Sequence, residues 1–145
     1  MASGLGVNDD CMKAINLIKL GNLKDRPKFI IYGVSDDLTE ARVFDMVPPD
    51  PSKSEAEQYE HFVKTYLPEN ECRWAVYDFV YEKDGVKRNK LLFIAWAPES
   101  SKLRPRMVYA SSKQEFRAKL DIASEIQATD FDEVSYDSVN AKVTK

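Results

Sequence analysis

Apolar positions change their period several times along the chain, and each change marks an element. Over 100–123, Val108, Ser112, Phe116 and Leu120 recur every fourth residue with Tyr109 beside them, the spacing of a long helix with one face toward a core. Upstream, Asn8, Asp9 and Asp10 supply a cap and first-turn acids for a helix carrying Cys11, Ile15 and Ile18, which Gly21 and Asn22 end. The β-branched and aromatic runs at 28–34 and 40–47 predict a hairpin turning at Asp36 and Asp37, and Pro48, Pro49 and Pro51 break the chain after it. Ser54, with Glu57 at capping-box spacing, opens a helix through Tyr66 whose apolar side is Tyr59, Phe62, Val63 and Tyr66. The strongest alternation lies at 73–82 and 86–96, joined by the hairpin dipeptide Asp84-Gly85. Residues 91–95 are apolar without interruption, as in a strand covered on both faces. Near the end the pattern predicts a short helix at 124–128, a short strand at 133–136 and a helical turn from Asp137. The order amounts to one α/β domain, a mixed sheet clothed by helices on both faces.

Composition narrows the class. The 145 residues, 43% of them hydrophobic, suit one core-forming domain over 8–145, preceded by a Gly/Ser-rich flexible segment at 1–7. No apolar run approaches the ~20 residues of a membrane span. The net charge of −3 does not favour nucleic acid, so attraction to an acidic partner has to come from local patches. Two cysteines, Cys11 and Cys72, form neither a disulfide framework nor a metal spacing. His61 is the single imidazole and lies on a helix between aromatic residues, where a solvated or partly buried role outweighs a catalytic one. Phosphate-loop and dinucleotide-loop glycine patterns are both absent from the sequence. Enzymatic chemistry therefore finds no support, and no cofactor is expected.

What remains is cationic. Lys102, Arg106, Lys113 and Arg117 share a stripe of the long helix beside Leu103, Met107 and Ala110, and Arg and Met are enriched where proteins meet proteins. Arg104 and Arg106 fall in the first turn, where each cation opposes the helix dipole by about 0.3–1 kcal/mol. The plain alternative is a set of solvated charges balanced by nearby acids. Lys87, Arg88 and Lys90 come just after the Asp84-Gly85 turn, and Lys142 and Lys145 lie at the end of the chain.

Five stretches carry a resemblance: SGLGVNDDC at 3–11, ECRWAVYDFVYE at 71–82, LFIAWAPE at 92–99, RMVYASSKQEFRAKL at 106–120 and ATDFDEVSYDSV at 128–139. Together they closely resemble the actin-depolymerising factor/cofilin family, in order and over essentially the whole chain. The resemblance implies a five-stranded mixed sheet between helices and a monomeric, non-catalytic actin-binding protein of the cytoplasm and actin cytoskeleton. It implies binding to actin monomers, the ADP form preferred, and to filaments, with severing and faster subunit loss. Carried over, Ser3, Gly4, Leu5, Arg104, Arg106, Met107, Lys113 and Arg117 form the site shared by monomer and filament. Lys87, Arg88, Lys90, Lys142 and Lys145 form a filament-specific site, and Ser3 matches a regulatory phosphorylation position.

Some positions depart from the family's commoner pattern. Ala118 stands where a basic residue often comes after the one at Arg117, Pro105 replaces a small polar residue, and Ala141 occupies a position acidic in some members. No run of basics resembles a nuclear-import signal, which leaves nuclear entry open. Two other readings rest on the same cations: a phosphoinositide-binding regulator at a membrane surface, and a cofilin-homology protein that decorates filaments without severing them.

Overall fold

The computed structural model describes residues 4–22 and 24–145. Six strands form one mixed sheet in the order β1-β3-β2-β4-β5-β6, with β1 (Gly6–Val7), β2 (Phe29–Val34), β3 (Glu40–Val47), β4 (Arg73–Lys83), β5 (Val86–Trp96) and β6 (Ser124–Ala128). The centre is antiparallel and both edges are parallel, β1 against β3 and β6 against β5. Among the described residues four helices cover it: α1 (Asp9–Leu20), α2 (Glu55–Tyr66), α3 (Leu103–Leu120) and α4 (Tyr136–Thr144).

Alternation along the strands sorts the core into two layers. On one face Ile30, Tyr32, Trp74, Val76 and Phe93 pack under Cys11, Ile15 and Ile18 of α1 and Tyr109, Phe116 and Leu120 of α3. On the other, Phe29, Ile31, Tyr77, Phe79 and Ile94 meet Tyr59 and Phe62 of α2 and Val139 and Val143 of α4. All six residues of β2 are buried, which explains its unbroken apolar run.

The caps form as the sequence suggests. Asn8 accepts from the Asp10 N–H at 2.9 Å, and Ser54 and Glu57 exchange bonds of 3.1 and 3.0 Å in a capping box.

The tail differs from expectation. Residues 124–128 are strand β6 rather than a helix, because the apolar positions of that stretch, Ile126 and Ala128, alternate toward the α2/α4 layer while its backbone completes the free edge of β5. Residues 133–136 form no strand; Ser135 there caps α4 by accepting from the Ser138 N–H at 3.2 Å. The sheet gains β1, a two-residue pairing too short to leave a period, so it has six strands rather than five. The long helix also runs shorter than 100–123. Ser101 is held by Pro98 before it, and Asp121 ends it in the left-handed conformation at φ 57°.

Candidate functional site

Two surfaces carry the residues singled out in the sequence, and they are built differently. α3 is seated from behind by aromatic packing: the Phe116 ring stacks on Trp74 with centroids 4.6 Å apart, and Tyr109 lies edge-on to Trp74 at 4.8 Å. The Tyr109 hydroxyl accepts from the Val34 N–H at 2.8 Å, and burial raises its pKa. At the far end, Lys19 of α1 donates to the Leu120 and Asp121 carbonyls at 2.7 and 2.8 Å, capping α3 with a cation where the dipole favours one. Ser112 is buried, as the helical spacing predicts, whereas Val108 is only half-buried at the margin of the core.

The opposite side of α3 faces solvent. Leu103 and Met107 are 63% and 60% exposed, and Arg104, Ala110, Gln114 and Ala118 continue that face. The first turn holds no acid and no side-chain cap, so the cost of its cations is not relieved there. Arg106 bends back to donate to the Glu99 carbonyl at 2.7 Å.

Lys113 and Arg117 lie on the flank and are engaged: Glu125 of β6 meets Lys113 at 2.9 Å and Arg117 Nε at 3.0 Å. Lys113 also donates to Gln127 at 2.6 Å, and Arg117 to the Ile122 carbonyl and Gln114 Oε1, both at 2.9 Å. The stripe therefore divides into outward groups (Arg104, Met107) and fixed flank groups (Lys113, Arg117). Gly4 is exposed, and Leu5 packs at the margin of the core in a crevice shared with Ser112, Phe116 and Lys119, so the N-terminal lead adjoins α3. Ser3 lies outside the described residues.

The second surface is an arm. β4 pairs with β2 only at Trp74–Tyr77, and β5 with β6 only at Leu92–Trp96, so the hairpin beyond them stands clear of the sheet. At its tip Asp84 and Gly85 have φ of 55° and 76°, the two positive angles of a type I′ turn. At its root Glu55 accepts from Lys28 Nζ at 2.6 Å and from the Val80 N–H at 3.2 Å, satisfying an amide where β4 leaves its neighbour. Arg88 pairs with Tyr81 and Lys90 with Phe79, so both cations share the α4 side of the sheet, while Lys87 opposite Glu82 faces the other way. The end of α4 reaches this arm, the Lys145 carbonyl accepting from Lys83 at 3.3 Å. Among the described residues Arg104, Lys87, Arg88, Lys90, Lys142 and Lys145 take part in no ion pair.

Sequence reasoning missed Glu125, Gln127 and Lys19. Alternation in SEIQA, with Ile126 and Ala128 inward, puts Glu125 and Gln127 on the face that carries α3. Nothing in the spacing of Lys19 announces a contact 101 residues away. His61 is exposed, 3.4 Å from Thr65, and both thiols are buried. Among the described residues no cluster of three or more His, Cys, Asp or Glu could hold a metal ion, and no helix is long and apolar enough to cross a membrane.

Comparison with known proteins gives a consistent result. The sequence model of the family described as "Cofilin/tropomyosin-type actin-binding protein" matches residues 4–144. The cofilin of Mycosarcoma maydis is 44% identical over 147 aligned positions, covering 100% of this chain and 98% of that one. Actophorin of Acanthamoeba castellanii is 37% identical, covering 99% and 97%. Among solved structures, Streptomyces griseoflavus cofilin superposes with a TM-score of 0.81 at 42% identity over 96% of each chain. Plasmodium berghei actin depolymerization factor 2 gives 0.85 at 29% identity over 99% of this chain and 98% of that one.

Proposed function

Since the chain belongs to the cofilin/tropomyosin-type actin-binding family, we propose that it is a non-catalytic cytoplasmic protein that binds actin through the outward face of α3. The observation that carries the reading is the exposure of Leu103, Met107 and Arg104 on a helix otherwise locked to the core. Two large apolar side chains beside a cation in an uncapped first turn are costly in water and suit a cleft that supplies both apolar cover and acidic groups. Gly4 and Leu5 adjoin this face and extend it, and the site accepts monomers, with preference for the ADP form, and filament subunits.

The arm supplies the second contact. α3 covers one face of the sheet and α4 the other, so Arg88, Lys90, Lys142 and Lys145 lie away from the α3 face. One domain bridging two neighbouring filament subunits through such surfaces imposes its own spacing on them, and that strain leads to severing and subunit loss. Ser3 precedes Leu5 by two residues in the chain, and a phosphate there adds roughly −1.5 to −2 charges to the segment that leads into Leu5. Ser3→Glu is accordingly expected to weaken monomer binding; unchanged affinity would exclude that regulation.

The deciding experiment is co-sedimentation with actin filaments, scoring this protein in the pellet and actin released to the supernatant. Pelleting with release supports the full reading. Pelleting without release leaves a decorating protein. If the protein neither pellets nor releases actin, actin is removed as the partner and attention turns to anionic lipid.

A further inference from the structure

The α3 flank contains an acid that the cationic stripe by itself does not require. Lys113 and Arg117 are one turn apart, where like charges repel, and both are largely withdrawn from water, their side chains 16% and 26% exposed. Glu125, itself 20% exposed, takes one cation on each carboxylate oxygen, at 2.9 and 3.0 Å. Gln127, Gln114 and the Ile122 carbonyl take further donors. Each cation still has donors left over, since a lysine has three and an arginine five. The cluster thus offers a partner fixed donors and a reduced charge.

We propose that Glu125 is a positioning residue that sets the specificity of the α3 site, holding Lys113 and Arg117 for a shaped protein surface and withholding them from a bare anionic one. This rests on the actin reading above. A folded partner rewards donors already in place, because less freedom is lost on binding. A fluid lipid surface rewards net charge that can move to meet it, and Glu125 removes both the mobility and half of that charge.

The test compares wild type, Glu125→Gln and Glu60→Gln as full chains. Glu60 is an exposed α2 residue, and its substitution makes the same change in net charge without touching the cluster. Each is measured for affinity to monomeric actin and for partition onto phosphatidylcholine vesicles carrying phosphatidylserine, across a salt series. Glu125→Gln is expected to lower actin affinity roughly fivefold, the size of one coupled polar contact. It should raise vesicle binding about fivefold, as one released cation does, with a steeper salt dependence. Glu60→Gln should move neither. Glu125→Asp keeps the charge but shortens the reach; it should hold vesicle binding low while leaving actin affinity below wild type, and thermal unfolding confirms that each variant is folded. The proposal is overturned if Glu125→Gln tracks Glu60→Gln in both assays, or if its actin affinity rises along with its vesicle binding. A wild type that binds no actin overturns the actin reading itself and this proposal with it.

Discussion

On α3 the solvent-facing side chains are backed by a locked helix. Phe116 stacks on Trp74, Tyr109 is bonded to β2, Lys19 caps the last turn, and Glu125 ties the flank to β6. The β4–β5 arm has less behind it beyond its root, where Tyr81 packs at the margin of the α2/α4 layer and Lys83 donates to the Lys145 carbonyl at 3.3 Å. Its cations stand on a two-stranded ribbon with Glu55 at the base and a type I′ turn at the tip, and among the described residues Lys87, Arg88 and Lys90 are in no ion pair. Both regions present positive charge, yet one presents it in fixed geometry and the other presents cations that no ion pair holds among the described residues. Fixed donors and apolar anchors give affinity and register, whereas unpaired exposed cations contribute mainly to encounter and are screened by salt. The α3 surface therefore suits the contact that must be specific, and the arm suits one that adds to it.

The contrast is most open to attack at its foundation. Phe116→Ala removes the ring on which α3 rests and should cost about 3–5 kcal/mol, read as a drop in the urea midpoint at unchanged m-value. Val86→Ala at the arm tip, 53% exposed, should stay within about 0.5 kcal/mol. Equal losses at the two sites would erase the distinction. Next in size, Arg104→Ala with Met107→Ala strips the outward face without disturbing the core, and should weaken monomeric actin binding by about 2–4 kcal/mol while thermal stability holds.

A third measurement uses pH. Burial first, then the Asp10 carboxylate, pushes the Cys11 thiol from its ordinary 9.0 up to about 11. The unfolded chain releases that proton near 9.0 and the folded one only near 11, so the unfolded state binds fewer protons between those values. This contribution to stability is whole below pH 9 and lost as pH rises toward 11. The loss proceeds at up to about 1.4 kcal/mol per pH unit. Cys11→Ala should flatten that decline even if it lowers stability overall, and an unchanged slope would refute the assignment. The smallest effect is expected on the arm. Arg88→Ala with Lys90→Ala should weaken filament binding by roughly 1 kcal/mol, lose that difference at high salt, and leave monomer binding unchanged. Monomer binding that fell equally would mean the two surfaces are not separate.

Much of this organisation can be read along the chain. Val108 to Leu120 shows a helix with one inward side because burial repeats with the helical turn, and Asp84-Gly85 shows its hairpin because few other residue pairs tolerate two positive φ angles. The capping box at Ser54 and Glu57 is equally local. Arg104 and Met107 are legible as surface residues on the same ground.

Other features depend on partners distant in sequence. SEIQA is too short for its period to decide between helix and strand, and the free edge of β5 decides it. Gly6 and Val7 become a strand only because the outer edge of β3 at Glu40 and Ala41 is open to them. The cationic stripe shows which residues are charged but not that Glu125 neutralises part of it, nor that Lys19 holds the helix end. Propensity, period and turn geometry act over a few residues, so the longer elements, their inward faces and the available chemistry are written in the chain itself. Which edges are completed, which cations are bound and which stay free are settled only by the folded molecule, because those outcomes depend on distances between segments that become neighbours on folding.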